Sequence, residues 1–109
     1  MRLMPLVVVA GLLWPSPSFS QGAGAFADGG RIYSSCSSTD VMERSYCAGY
    51  VAAMTDALVR IGHACVPAEV TAQQAVDVVM TYLRDHPEQR QYPAWFPGRT
   101  ALGLRFPCN

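Results

Sequence analysis

Four cysteines, Cys36, Cys47, Cys65 and Cys108, constrain the fold of this 109-residue chain more than any other feature. Their spacings match neither a C-x-x-C redox pair nor the ligand pairs of a zinc site. The chain opens as an export leader does, with Arg2, an apolar run from Leu3 to Trp14 and a small, polar exit. That run is shorter than the roughly 20 residues that span a bilayer. Residues 1–20 therefore read as a signal peptide, with Ser18 and Ser20 preceding a cut before Gln21. Ala25 and Ala27 offer a second cut, before Asp28, and residues 21–27 read as a flexible tail. No cysteine adjoins either cut, so lipid attachment is not expected. Export implies a periplasmic, oxidising compartment, where an even cysteine count is read as a disulfide framework.

What remains, residues 28–109, is one small domain. A chain of roughly 85 residues buries only a modest core, and cross-links commonly supply part of its stability. Eight basic side chains balance eight acidic ones, so nothing in the charge points to nucleic acid or to an anionic membrane surface.

The clearest helix spans residues 40–62. Asp40 stands at the N-cap position with Glu43 three residues on, close to a capping box. Cys47, Tyr50, Val51, Met54, Leu58 and Ile61 recur on one helical face, and Gly62 is a natural stop. Gly49, Ala52, Ala53 and Ala57 make much of this helix slim, which would let a neighbour pack close. A second helix starts at the Thr71/Gln74 capping box, with Val70 as its staple residue, and ends at His86 before Pro87. A short first helix or turn is expected around residues 30–35, and a last helix from Pro97 at its first position to about Phe106. No segment alternates as a strand does, so the domain reads as all-α, a bundle of about four helices.

Helix length decides the disulfides. Across a continuous helix Cys47 and Cys65 stand about 27 Å apart, whereas a disulfide needs Cα atoms within about 7 Å. Cys36 lies four residues before the helix and reaches back roughly 14 Å at most, well short of Cys65. Of three pairings, only Cys36–Cys47 with Cys65–Cys108 survives.

Positive signs of catalysis are absent. His63 and His86 fall at helix ends, where they can serve the last carbonyls and the helix dipole. An enzyme would need one of them gathered with a carboxylate in a cleft. There is no H-E-x-x-H, G-x-S-x-G, phosphate loop or dinucleotide fingerprint, and no metal or other cofactor is expected. The stretch 85–98, DHPEQRQYPAWFPG, carries residue types enriched at interface hot spots. Trp95 and Phe96 are expected to enter the core as the last helix begins. Asp85, Glu88, Gln89, Arg90, Gln91 and Tyr92, in the polar connection, are the candidates for contact with a partner.

The run FADGGRIYSSC, then YCAGYVAAMTDAL, CVPAEVTAQQAVDVVMTYLRDHPE and terminal ALGLRFPC, resembles the Rap/Tai family of type VI secretion immunity proteins across essentially the whole mature domain. The resemblance implies a small exported helical inhibitor, commonly homodimeric. Such a protein shields its owner from a peptidoglycan-cleaving amidase toxin by obstructing the toxin's active site. The matching positions, among them Tyr46, Gly49, Pro67, Tyr82, Glu88 and Pro107, are expected mostly to define the fold. A competing reading is a small periplasmic stress or chaperone-like protein, which would hold many unfolded clients weakly instead of one folded enzyme tightly.

Overall fold

The computed structural model describes residues 3–5, 11 and 26–109. The Ser20–Gln21 cut, residues 21–25 and most of the leader lie outside them. Among the described residues four α-helices and one 3₁₀ turn make up the fold: α1 (Gly29–Ser37), α2 (Val41–Arg60), α3 (Ala72–Asp85), η1 (Pro87–Gln91) and α4 (Trp95–Arg105). None of these helices is long and apolar enough to cross a membrane.

Local chemistry explains most boundaries. The Asp28 carboxylate accepts from the Arg31 amide at 2.7 Å and starts α1. Asp40 accepts from the amides of Met42 and Glu43 and starts α2. The Thr71 hydroxyl accepts from the Gln74 amide, and the Gln74 side chain accepts from the Thr71 amide, a complete capping box for α3. At the end of α2 the Gly62 amide donates to the Val59 carbonyl, and the His63 amide to the Leu58 carbonyl. These two bonds form a Schellman motif, which places Gly62 at a φ of 77°, a region open to glycine at little cost.

Two expectations about boundaries change. The Glu43 side chain does not complete a capping box; it crosses to α1, pairing with Arg31 and accepting from the Ser35 hydroxyl at 3.0 Å. Its place near the Asp40 amide is taken by the Ser38 hydroxyl, 3.0 Å away. The last helix starts two residues before Pro97 and passes through Pro97 and Gly98 without interruption. Pro97 falls in the first turn, where backbone N–H groups have no helical acceptor, so its missing donor costs little.

The core lies between α1, α2, α3 and α4. Ile32, Val51, Val79, Leu83 and Leu102 are nearly inaccessible, each contributing about 1.5–3 kcal/mol by leaving water. Ala27 belongs to this core, one residue inside the stretch read as a tail. Its carbonyl accepts from the Ala94 amide at 3.0 Å, and the Gly29 amide donates to the Tyr92 carbonyl at 2.8 Å. A cut after Ala27 would delete this anchor; a cut after Ser20 would keep it. Gly98 marks a close crossing of α4 over α2, because a Cβ there would overlap the sulfur and methyl of Met54. Gly98→Ala is expected to cost about 1–3 kcal/mol by denaturant titration, since Met54 must leave its position in the core.

Both disulfides pair as helix length requires, Cys36–Cys47 and Cys65–Cys108, each with Cα atoms 5.1 Å apart. The first joins α1 to α2 near the Arg31–Glu43–Ser35 network. The second ties the α2–α3 loop to the C-terminus beside a hydrogen bond from the Cys65 amide to the Phe106 carbonyl of 2.8 Å. The hydrogen bond from Arg31, then that from Ser35, holds the Glu43 carboxyl below its ordinary value of 4.5. A carboxyl depressed in the folded state contributes stability above its unfolded pKa and loses it as pH falls through the folded one. The thermal midpoint of the wild type should therefore approach that of Glu43→Gln as pH drops from 7 through the acidic range below 4.5. A gap between them that stayed constant would remove this pair from the pH dependence.

Candidate functional site

The connection between α3 and α4 holds the residues singled out for partner contact. It is an ordered 3₁₀ turn, begun by Pro87 and seated against α1 and α3. Arg90 is its anchor. The Arg90 Nε donates to the Leu83 carbonyl at 2.8 Å, and its guanidinium lies 3.8 Å from the centre of the Tyr33 ring. Arg90 thus satisfies the end of α3 and rests on an aromatic face of α1. Its side chain is spent inside the fold. Gln89 is half-buried, whereas Asp85, Glu88, Gln91 and Tyr92 are exposed. Asp85 pairs with Arg84 at 3.0 Å, and the Glu88 carboxylate meets His86 Nδ1 at 3.3 Å. His86 also stacks on Tyr82, with ring centres 4.3 Å apart.

Trp95 and Phe96 do not enter the core as expected. They remain 40 % and 47 % exposed and stack on each other, centres 4.2 Å apart. The face of α4 turned to the core carries Pro97, Gly98, Ala101 and Leu102, which leaves Phe96 on the far side and Trp95 at the margin. Ala94, Pro97 and Gly98 fill the buried positions instead. With Tyr92 at 45 % exposure, an aromatic edge runs along the start of α4.

That edge continues onto α2. Tyr50, Ala53, Met54, Ala57, Leu58, Ile61 and Trp95 line an open groove. The apolar face expected for α2 is therefore wider than its core contact: Met54 and Leu58 are buried, but Ile61 is 64 % exposed and Tyr50 only half-buried. The slim positions Ala53 and Ala57 are exposed, and a Cβ on Gly49 would meet nothing within 4 Å. No described element packs closely against these positions. The recurrence of Tyr50, Ala53, Ala57 and Ile61 at helical spacing is the sequence signal for this face.

Neither histidine sits in an enclosed catalytic arrangement. His63 is exposed after the end of α2, and the His86–Glu88 pair is open to solvent. Among the described residues no group of three His, Cys, Asp or Glu side chains is arranged to hold a metal.

What this surface can do is bind, with rigid aromatic groups on an oxidatively stapled frame. No curated protein gives a significant match to the chain. A protein-family model described as Rap1a immunity proteins matches residues 28–108, from the N-cap of α1 to the last cysteine. The chain, whose helices and both disulfides all fall inside that match, belongs to the Rap1a immunity protein family.

Proposed function

We propose that this protein is a periplasmic immunity protein that binds a peptidoglycan amidase delivered by type VI secretion and blocks it by covering its active site. The observation that carries the reading is the family match over the entire disulfide-stapled domain. Two disulfides among four cysteines support export, since such bonds persist in oxidising compartments. Binding one folded enzyme asks for a preorganised surface, and cross-links and an anchored 3₁₀ turn lower the ordering cost of association. The same reading includes pairing of two copies, as in the relatives this sequence resembles.

In this proposal the connection Asp85, Glu88, Gln89, Arg90, Gln91 and Tyr92 meets the amidase. Tyr92 supplies the aromatic anchor, with Glu88 and Gln91 beside it. Arg90 and Gln89 hold the turn in shape, so Arg90→Ala would mix lost anchoring with lost contact. Tyr92→Ala is the cleaner variant. It is expected to weaken inhibition of sacculus clearing by a type VI amidase from the same or a related strain by at least about tenfold. Its melting temperature should stay close to that of the wild type. Unchanged inhibition would remove this loop from the contact.

A further inference from the structure

A loop of this size covers only part of the roughly 800 Å² that each partner buries in a stable complex. The α2–α4 groove, of about 410 Å³, adjoins it through Trp95. Its lining side chains carry no charge. Ala53 and Ala57 leave space between Tyr50, Ile61 and Trp95, room for an inserted apolar side chain.

Two cationic side chains adjoin lining residues of the groove. Arg60 directly precedes Ile61 in the last turn of α2 and is exposed. Arg99 stands one turn beyond Trp95, its guanidinium 5.8 Å from the centre of that ring. Neither takes part in an ion pair among the described residues. Asp56, one turn before Arg60, lines a different cleft with Val66 and Pro67 of the α2–α3 loop. Beyond Glu88 the sequence contains no Asp or Glu, so α4 brings no side-chain carboxylate to the border.

We propose that this groove receives an apolar side chain from an acidic segment of a partner protein, with the guanidinium groups of Arg60 and Arg99 donating to carboxylates of that segment. The inference rests on the immunity reading and gives the amidase a second contact, next to the loop. A second copy of this chain is the poorer occupant. Two-fold pairing across the groove would set Arg60 and Arg99 of one copy against the same arginines of the other, a repulsion that an acidic segment avoids. A membrane surface is also poorer, because the balanced formal charge of the chain gives no general attraction to anionic lipid.

Two variants test the proposal in the sacculus assay: Ala57→Trp, which fills the groove, and the double reversal Arg60→Glu with Arg99→Glu. Arg44→Glu, beside the cleft at Cys36–Cys47, is the control. Both test variants are expected to inhibit at least about 30-fold less well than wild type, with the control unchanged. The charge reversal should also flatten the dependence of inhibition on salt. If Ala57→Trp does not fold, the reversal at exposed positions decides. Inhibition within about threefold of wild type by the folded variants would overturn the groove while leaving the immunity reading in place. Failure of the wild type to inhibit would remove both. A wild-type dimer that Ala57→Trp dissociates in sedimentation would overturn the proposal in favour of a second copy. Wild-type binding to vesicles containing phosphatidylglycerol, lost on filling the groove, would overturn it in favour of lipid.

Discussion

Replacing Cys65 and Cys108 together by alanine is expected to remove about 4 kcal/mol of stability, measured by urea titration of the oxidised protein and the variant. The bond closes a separation of 43 residues, so it excludes many open conformations of the unfolded chain. In the folded chain it also holds the C-terminus where the Phe106 ring is buried and the Phe106 carbonyl accepts from Cys65. Small domains are commonly stable by only about 5–15 kcal/mol, so this loss would leave little in reserve. The corresponding change at Cys36 and Cys47, across a separation of 11, is expected to cost less, about 3 kcal/mol. The reverse order would mean that native packing around Cys36–Cys47, rather than loop closure, sets the contribution.

Leu102→Ala should cost about 3 kcal/mol in the same titration. Leu102 is 0 % exposed, and truncation leaves a cavity that the stapled helices cannot readily close. Leu104, two residues on and 74 % exposed, provides the contrast, because its truncation should change stability by no more than about 0.5 kcal/mol. Equal losses at the two sites would contradict the orientation of α4.

The distinction between local and tertiary causes also separates what the sequence disclosed from what it did not. Asp40, Gly62 and the Thr71/Gln74 pair act on amides and carbonyls within their own or the adjoining turn, so their roles follow from a few neighbouring residues. The disulfide pattern was also legible, since a rigid helix of known rise forbids the alternatives. The capping box expected at Glu43 does not form, because its partner Arg31 lies on another helix, 12 residues away in sequence. Arg90 looked available in a polar connection, but its acceptor, the Leu83 carbonyl, and its platform, the Tyr33 ring, are set by the packing of α1 against α3. Hydrophobicity alone places Trp95 and Phe96 inward. Their exposure follows from Gly98 lying against Met54, a contact that fixes which face of α4 turns to the core.

The candidate surface was legible in part for the same reason. The connection after α3 stood out by its residue types, and Tyr92 is exposed there. The adjoining groove depends on α2 presenting an apolar stripe that no other described element covers fully, which helical spacing alone could not distinguish from core.

Capture tests the central claim most directly. Oxidised protein beginning at Gln21 is immobilised and exposed to extracts and secretions of its own and related strains, and what it retains is identified by mass spectrometry. One dominant peptidoglycan amidase is expected, its activity falling stoichiometrically as the protein is titrated in. Retention of many weakly held clients, or of an amidase whose activity is unaffected, would contradict the claim.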